Sequence, residues 1–306
     1  NPACSIVVES GFSFTHTVPF VNGKMRPLAV RRVNIGGKVL TNYLKEMVSY
    51  RQWNMMDEFK LMDQVKEDLC FVSDDFVGDM RKYQQAYGGS RLTTQQRAEA
   101  HARLVDTSLG RRGDPEGLRQ SFILPDFQTR HRGCVQAPDY TLTDSDQVLS
   151  METERFVVPE LLFSPSDVGM MQAGIAEACW EGLSQLPLLE RAACLQNVVL
   201  TGGNTNFPRY RDRFQAELRT YVDDIIDVHC MVGGGNQEQD VSTGAGAGAG
   251  ARDMYKPQHH AFRGMQTFVK RTPTADLFGR LAVSRKEYLE NGHHYCNAKF
   301  AHSVYA

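Results

Sequence analysis

The sequence lacks the features that mark membrane, secreted and zinc-binding proteins. No apolar run approaches the roughly 20 residues needed to span a bilayer, and the amino terminus shows no basic-then-apolar secretory signal. The seven cysteines are scattered, and no two of them form a C-x-x-C pair. The histidine pairs at 259–260 and 293–294 likewise have no second pair at zinc spacing. These absences predict a soluble intracellular protein with free thiols and no metal site.

Charge of one sign is not in excess either. The 34 basic and 36 acidic side chains give a formal net charge of −2 over 306 residues. This balance provides no overall attraction to nucleic acid or to an anionic membrane, although a local basic patch is still compatible with it. With 42% hydrophobic residues, the chain is long enough to bury a full core in one large domain or two modest ones.

The most informative stretch covers residues 197–213 and reads NVVLTGGNTNFPRYRDR. Residues 198–200 form a short apolar run typical of a buried strand, and Gly202 and Gly203 follow at once. Pro208 then suits the first turn of a helix, and apolar side chains recur after it at helical spacing. Such a strand, glycine pair and helix start either presents backbone N–H groups to an anion or forms a packed turn without a ligand.

A second turn of small and polar residues lies near the amino terminus. Apolar runs at 4–8 and 15–20 flank it, which predicts a β-hairpin. The spacing of apolar residues elsewhere predicts helices at 40–50, 57–76 and 175–186, and a strand at 155–158. Near the carboxyl end, Ser284 and Glu287 form the pattern of a capping box that opens a helix, and Gly292 is predicted to end it.

Two segments contain few large apolar residues. Residues 78–121 carry more basic than acidic side chains, and we interpret them as an insertion that is mobile or folds on a partner. A solvated loop and a contact with phosphates or an acidic partner both remain open for this insertion. Residues 233–251 form a glycine- and alanine-rich repeat, which is predicted to be a flexible surface loop.

Several motifs, in order along the chain, match a known family. VVESGFSFTHTVP at 7–19 resembles the second phosphate loop of actin and the actin-related proteins, and TGGNTNFP at 201–208 resembles their adenosine loop. VKEDLCFV at 65–72 is similar to the family's helix whose lysine and glutamate flank the nucleotide's sugar and base. RFVVPELLF at 155–163 also fits the family pattern. The resemblance requires the two glycine-containing loops, at Gly11 and Gly203, to share one cleft.

The resemblance implies an α/β, actin-like ATPase fold, in which a ribonuclease-H-like mixed sheet with flanking helices is duplicated. Residues 1–35 and 170–257 would form the inner subdomain of the larger lobe. Residues 36–169, with the polar insertion 78–121, would form its outer subdomain, and residues 258–306 would supply the C-terminal part of the small lobe. Because the family's first phosphate loop is not found in the sequence, the first lobe is expected to be incomplete.

The resemblance also implies a site for ATP or ADP with Mg²⁺. The nucleotide-binding positions implied are Glu9, Gly11, His16, Lys66, Glu67, Gly202, Gly203 and Phe207. His16 keeps the position of the histidine that polarises the hydrolytic water in the family, whereas Phe12 and Ser13 replace an expected aspartate and glycine. Phosphoryl transfer depends on positioning and charge stabilisation, so we expect a degenerate ATPase fold with no catalytic residue and negligible turnover.

Four further motifs narrow the expectation to one nuclear branch of the actin-related proteins. They are YRQ at 50–52, LPDF at 124–127, SPSDVG at 164–169 and ENGH at 290–293. The resemblance implies a non-catalytic structural subunit of a chromatin-remodelling complex that exchanges a histone variant in nucleosomes. Its expected partners are a remodeller motor ATPase and a zinc-finger HIT-domain subunit, with nucleosomal DNA or histones nearby.

The same resemblance gives the expected location and one alternative function. We expect the protein in the nucleus, with the cytoplasm as a second location, and we expect neither membrane binding nor a homo-filament. The alternative is an ATP-hydrolysing, polymerising cytoskeletal actin-like protein. That function would require turnover at the altered phosphate loop and longitudinal surfaces that the insertion at 78–121 would obstruct.

Overall fold

The computed structural model describes residues 3–87, 118–128, 130–137, 139–143, 145–233, 256–271 and 282–305. The chain divides into two compact units. The first unit contains Asn1–Gly36, Ala173–Asn206 and Phe214–Ala306, and the second contains Gly37–Gln172 and Phe207–Arg213. The assignment of residues 1–35 with 170–257, of 36–169 and of 258–306 to lobes of an actin-like fold stays a prediction.

The regular elements of the described residues follow in chain order. The strands are β1 Cys4–Ser10, β2 Thr15–Val21, β3 Lys24–Met25, β4 Arg31–Val33, β5 Gln120–Ile123, β6 Cys134–Val135, β7 Val148–Met151, β8 Val198–Thr201 and β9 Cys230–Val232. The helices are α1 Gly37–Arg51, α2 Phe59–Leu69, α3 Phe76–Tyr87, α4 Glu154–Glu160, α5 Ile175–Leu183, α6 Leu188–Leu195, α7 Tyr210–Thr220, α8 His260–Arg271 and α9 Arg285–Tyr305.

The larger sheet belongs to the first unit and is mixed. Its strand order is β3-β2-β1-β8-β9, and β4 also pairs with β2. Strands β1 and β2 form the predicted antiparallel hairpin, whereas β8 runs parallel to both β1 and β9. Strand β8 is therefore internal, which agrees with the full burial of Val198 and Leu200. The sheet and its helices confirm the predicted α/β class.

The second unit combines a small antiparallel sheet with the helices α1 to α4. The sheet order is β6-β5-β7. Helix α1 contacts both α2 and α4. Leu40, Leu44 and Val48 are buried on one face of α1, at the four-residue steps that predict this helix from the sequence. Met62 and Val65 of α2 are buried as well, so the two helices close one core.

A buried ion pair holds the segment Phe207–Arg213 within the second unit. Two guanidinium nitrogens of Arg213 donate to the two carboxylate oxygens of Glu160, at 2.8 and 3.1 Å. The same guanidinium donates to the carbonyl oxygen of Ser73 at 2.9 Å. The side chains of Arg213 and Glu160 are only 16% and 5% exposed. Burial raises the pKa of Glu160, although Arg213 acts in the opposite direction.

The prediction of a strand at 155–158 is wrong, because these residues lie in helix α4. Nearly every residue of this short helix is buried, including the charged Glu154 and Arg155. A helix without a solvent-facing side shows no helical period in its sequence, and the adjacent pair Val157 and Val158 then favours a strand. Arg155 is accommodated because it donates to the carbonyl oxygens of Leu69 and Leu118, each at 3.0 Å.

The helix predicted at 57–76 is interrupted. Helix α2 ends at Leu69, and α3 begins at Phe76. Between them, the backbone N–H groups of Phe71 and Val72 donate to the carbonyl oxygens of Arg155 and Pro208. These partners are distant in sequence, so the apolar spacing that runs through the break could not reveal it.

The insertion predicted at 78–121 is wrong at both ends. Helix α3 extends to Tyr87, and strand β5 begins at Gln120. Helix α3 is held by Asp79, which accepts a hydrogen bond from Ser73 at 2.6 Å. The arginine-rich centre of the insertion, residues 88–117, and most of the glycine-alanine repeat lie outside the described residues.

The carboxyl-terminal capping box is confirmed. The backbone N–H of Ser284 donates to the carboxylate of Glu287 at 2.7 Å, and the N–H of Glu287 donates to the Ser284 hydroxyl at 3.2 Å. Gly292 interrupts helix α9 with a φ of 70°.

In the described ranges, no helix combines the length and apolarity needed to cross a membrane, and no cluster of three or more His, Cys, Asp or Glu could hold a metal.

All seven cysteines are free, and they differ sharply in exposure. Cys134 is exposed, whereas Cys70, Cys179, Cys194 and Cys230 are buried. Burial raises the pKa of the Cys70 and Cys194 thiols to about 12 and also raises that of Cys179. A thiol with so high a pKa forms little of the reactive thiolate.

We therefore expect maleimide to label Cys134 first in the folded protein. At about pH 8, Cys70 and Cys194 should react on the order of 100-fold more slowly, and peptide mass mapping would give the rate at each position. Unfolding in guanidinium is the control, because it should make all seven thiols react at similar rates. Labelling of Cys194 as fast as Cys134 in the folded protein would contradict the buried position of Cys194.

Candidate functional site

The first unit brings together the two loops that the sequence singles out. Strands β1 and β8 run in parallel with Glu9 opposite Thr201, so their carboxyl ends lie at one edge of the sheet. The turn after β1, which contains Gly11, and the glycine loop after β8 therefore begin side by side. Asn204 of the glycine loop donates to the carbonyl oxygen of Gly11 at 3.0 Å. Gly11 and the glycine loop are thus neighbours at one edge of the sheet, and the cleft that the two loops are expected to share stays a prediction.

Gly202 allows the two loops to touch. Its φ of +96° lies in the left-handed region, and a Cβ on it would overlap the carbonyl group of Ser10. Gly203 differs, because outside its own loop no heavy atom of the described residues lies within 4 Å of the position that its Cβ would occupy. The first glycine is thus required by packing, and the second leaves open space in front of the loop.

The backbone of Gly36, which belongs to the first unit, packs against the turn after β1. A Cβ on Gly36 would lie 2.6 Å from the carbonyl oxygen of Phe12 and 2.8 Å from that of Gly11. Only glycine permits so close an approach. The sequence signal is the pair Gly36–Gly37 before α1, but a glycine pair does not reveal which backbone it approaches.

Buried hydrogen bonds connect the glycine loop to the sheet. Thr15 Oγ1 donates its only hydrogen to the carbonyl oxygen of Ile35 at 2.9 Å, so it must accept from Ser10 Oγ at 3.0 Å. Ser10 Oγ in turn accepts from the amide nitrogen of Asn204 at 3.0 Å. Ser10, Thr15 and Asn204 are all buried. Sequence reasoning missed Asn204, whose only signal is its place directly after the glycine pair.

Glu9 and His16 lie beside this turn on an accessible face of the sheet. They are opposite each other on β1 and β2, with Glu9 Oε2 and His16 Nδ1 3.7 Å apart. His16 is also opposite Arg32 of β4, so a polar row crosses three strands. The guanidinium carbon of Arg32 lies 3.6 Å from the centre of the Phe14 ring. A partly exposed carboxylate here can hold the water shell of a divalent cation.

Phe12 occupies the centre of the turn after β1. Its side chain is 53% exposed. The turn itself is closed by the backbone N–H of Gly11, which donates to the carbonyl oxygen of Phe14 at 3.0 Å. A phenyl ring therefore stands in the turn where the family resemblance leads us to expect a carboxylate.

Lys66 lies in the second unit and is buried. Its ammonium donates to the carbonyl oxygen of Gly37 at 3.3 Å, to Thr41 Oγ1 at 2.9 Å and to Asp63 Oδ1 at 2.5 Å. These three acceptors match the three N–H groups of a lysine. Lys66 thus joins α1 to α2, and its predicted contact with a nucleotide would have to displace one of these bonds.

The other two predicted residues of the second unit have different environments. Glu67 is exposed on α2, yet partial desolvation of its carboxyl raises its pKa, and the Asp63 carboxylate adds to the effect. Phe207 is buried with 7% of its surface exposed, as a core residue would be. The structure therefore groups Glu9, Gly11, His16, Gly202 and Gly203 in one unit and Lys66, Glu67 and Phe207 in the other.

The fold and the paired loops define an actin-type protein, and sequence comparison agrees. The sequence matches the Actin family over residues 2–301, so the chain belongs to the actin family.

Comparison with individual relatives indicates which branch of the actin family the chain resembles. The chain is 34% identical to Actin-like protein arp6 of Aspergillus fumigatus, over 97% of this chain and 58% of that protein. It is 39% identical to Actin-related protein 6 of Drosophila melanogaster, over 73% of this chain and 50% of that protein. For Actin-related protein 6 of Arabidopsis thaliana the identity is 36%, over 74% of this chain and 52% of that protein. The chain spans about half the length of these curated relatives, and they confirm that the four branch motifs of the sequence indicate one branch, that of Actin-related protein 6.

Proposed function

We propose that the chain serves as a non-catalytic structural subunit of a nuclear chromatin-remodelling complex that exchanges a histone variant in nucleosomes. In this proposal the actin-like fold holds ATP or ADP with Mg²⁺ and does not turn it over. The observation that carries the proposal is the combination of two intact, touching loops with a phenyl ring, Phe12, in the turn between β1 and β2. The family's fold is retained while its phosphate loop is altered, and this combination favours a structural role over ATP hydrolysis.

The loops fit a nucleotide in two respects. The space beside Gly203 is open, and the partly exposed Glu9 carboxylate is suited to a cation's water shell. Gly11 and Gly203 would contact the nucleotide through their backbone, and Glu9 would face the Mg²⁺. The bound Mg-nucleotide would supply only charge and shape, because Phe12 stands in the turn in place of the carboxylate that the family resemblance leads us to expect there.

The proposed partners follow from the relatives. Several of them are named Actin-related protein 6, and the motifs shared with that branch imply a remodeller motor ATPase and a zinc-finger HIT-domain subunit as neighbours. Nucleosomal DNA or histones would lie near the complex, which would be nuclear, with the cytoplasm as a second location of the chain. Affinity purification from nuclei, followed by a histone-exchange assay with and without this chain, tests the proposal. Sedimentation in Mg-ATP and salt should leave the protein in the supernatant, and a pelleted polymer would favour the cytoskeletal alternative.

We expect nucleotide binding without hydrolysis. Fluorescent mant-ATP with Mg²⁺ should bind, and phosphate release in a single-turnover assay should not exceed the buffer background, because Phe12 replaces a carboxylate in the turn. His16→Ala should leave this background unchanged, since there is no turnover to lose. Hydrolysis as fast as that of muscle-type actin, abolished by His16→Ala, would overturn the proposed lack of catalysis.

A further inference from the structure

Both side-chain N–H groups of Asn204 donate hydrogen bonds to residues at the turn after β1. Its side-chain nitrogen carries two hydrogens and lies 3.0 Å from both Ser10 Oγ and the carbonyl oxygen of Gly11. The residue is buried, so water cannot replace either bond without opening the loops. These contacts join positions 194 and 193 residues apart in the sequence.

The hydrogen-bond directions leave Ser10 with no donor for a ligand. Thr15 gives its only hydrogen to Ile35, so Ser10 must give its own to Thr15 and accept from Asn204. The hydroxyl hydrogens of Ser10 and Thr15 are therefore both donated to partners inside the protein. A nucleotide phosphate placed at these loops would have to be bound by other groups.

We propose that Asn204 is a positioning residue that keeps the turn after β1 against the glycine loop when the site is empty. The arrangement of the two loops then does not depend on a bound nucleotide. A pre-formed site of this kind binds its ligand without first having to order the loops. The part of this inference that concerns nucleotide rests on the proposed function, whereas the part that concerns the empty site does not.

The isosteric change Asn204→Asp separates the donor role from packing. At neutral pH an aspartate of nearly the same shape has no hydrogen to donate, and its charge would face the Gly11 carbonyl oxygen. Asn206→Asp is the matched control, because Asn206 lies in the same loop but is exposed, and donates to Gly203 and Gln258.

Hydrogen exchange of peptides from the two loops, measured by mass spectrometry, tests the proposal. The wild type and Asn206→Asp should show the same protection with and without Mg-ATP. In the empty state, Asn204→Asp should exchange about tenfold faster around Gly11, as expected for a local opening, and saturating Mg-ATP should restore part of the protection. Empty-state protection in Asn204→Asp equal to that of the wild type would overturn the proposal, as would wild-type protection that appears only with Mg-ATP.

Two further comparisons keep the outcomes separate. If wild-type protein does not bind mant-ATP, the nucleotide part of the proposed function fails, yet the empty-state comparison still decides the role of Asn204. If Asn204→Asp does not fold, as judged by circular dichroism, Asn204→Thr and Asn204→Ala replace it. Threonine keeps one hydroxyl donor and should recover part of the protection that alanine loses, and equal exchange in the two variants would overturn the proposal.

Discussion

Gly202→Ala is expected to destabilise the first unit by about 3 kcal/mol or more, the sum of a left-handed backbone penalty and a steric overlap. Alanine at a φ of +96° is strained, and its Cβ would overlap the Ser10 carbonyl group, which belongs to the backbone of a central strand and cannot move aside. Gly203→Ala should change stability by less than about 0.5 kcal/mol, because its Cβ would enter open space. The adjacent glycines therefore form a matched pair.

Urea unfolding followed by circular dichroism would measure both changes. Gly203→Ala should in addition weaken mant-ATP binding, because its methyl group would occupy the space in front of the loop that a ligand needs. The two variants thus distinguish Gly202, which the fold requires, from Gly203, which is expected to face the ligand. An equal loss of stability in both variants would show that the loops do not approach each other as closely as the distances indicate.

Arg213→Ala should destabilise the second unit by about 3 kcal/mol, because it leaves the Glu160 carboxylate buried without its cation. Arg211→Ala is the matched control on the same helix. Arg211 pairs with Asp212 at the surface, where the two side chains are 49% and 63% exposed, so its loss should cost about 0.5 kcal/mol or less. Urea midpoints of the two variants and the wild type would give the difference.

The loss of stability caused by Arg213→Ala should depend on pH. Burial already raises the pKa of Glu160, and removal of Arg213 takes away the opposing effect, so the pKa should rise further. A pKa raised in the folded state means that the folded state binds the proton more tightly than the unfolded state. The variant should therefore recover stability relative to the wild type as the pH falls from about 7 to about 5. A difference that is equal at both pH values would contradict this account.

Local patterns were sufficient for much of the fold and for part of the site. The run at 198–200 followed by two glycines predicts both strand β8 and its loop, and Ser284 with Glu287 predicts the start of α9, because each signal lies within a few residues. Helix α4 escaped prediction because its burial removes the polar face on which a helical period depends. The break after Leu69 was not predicted, because the backbone N–H groups within it donate to carbonyl oxygens that are distant in sequence.

Long-range contacts explain what the sequence could not show at the site. Gly11 and Gly203 could be recognised as loop residues one at a time, but Gly36 and Asn204 matter only because of the backbone they approach. The burial of Phe207 and the three acceptors around Lys66 also depend on side-chain packing. These residues lie in motifs that identify the family, yet the motif does not tell whether a side chain faces a ligand or the core.

The one-way order of hydrogen bonds from Asn204 through Ser10 and Thr15 to Ile35 restricts how this part of the protein can evolve. Each hydroxyl accepts from one neighbour and gives to the next, so a replacement at one position leaves a lone donor or a lone acceptor in a dry interior. An apolar residue at position 10 would leave one amide hydrogen of Asn204 without an acceptor and the Thr15 hydroxyl without a donor. An apolar residue at 15 or 204 would in turn leave the carbonyl oxygen of Ile35 or Gly11 without its donor, so we expect the three polar residues to be retained together.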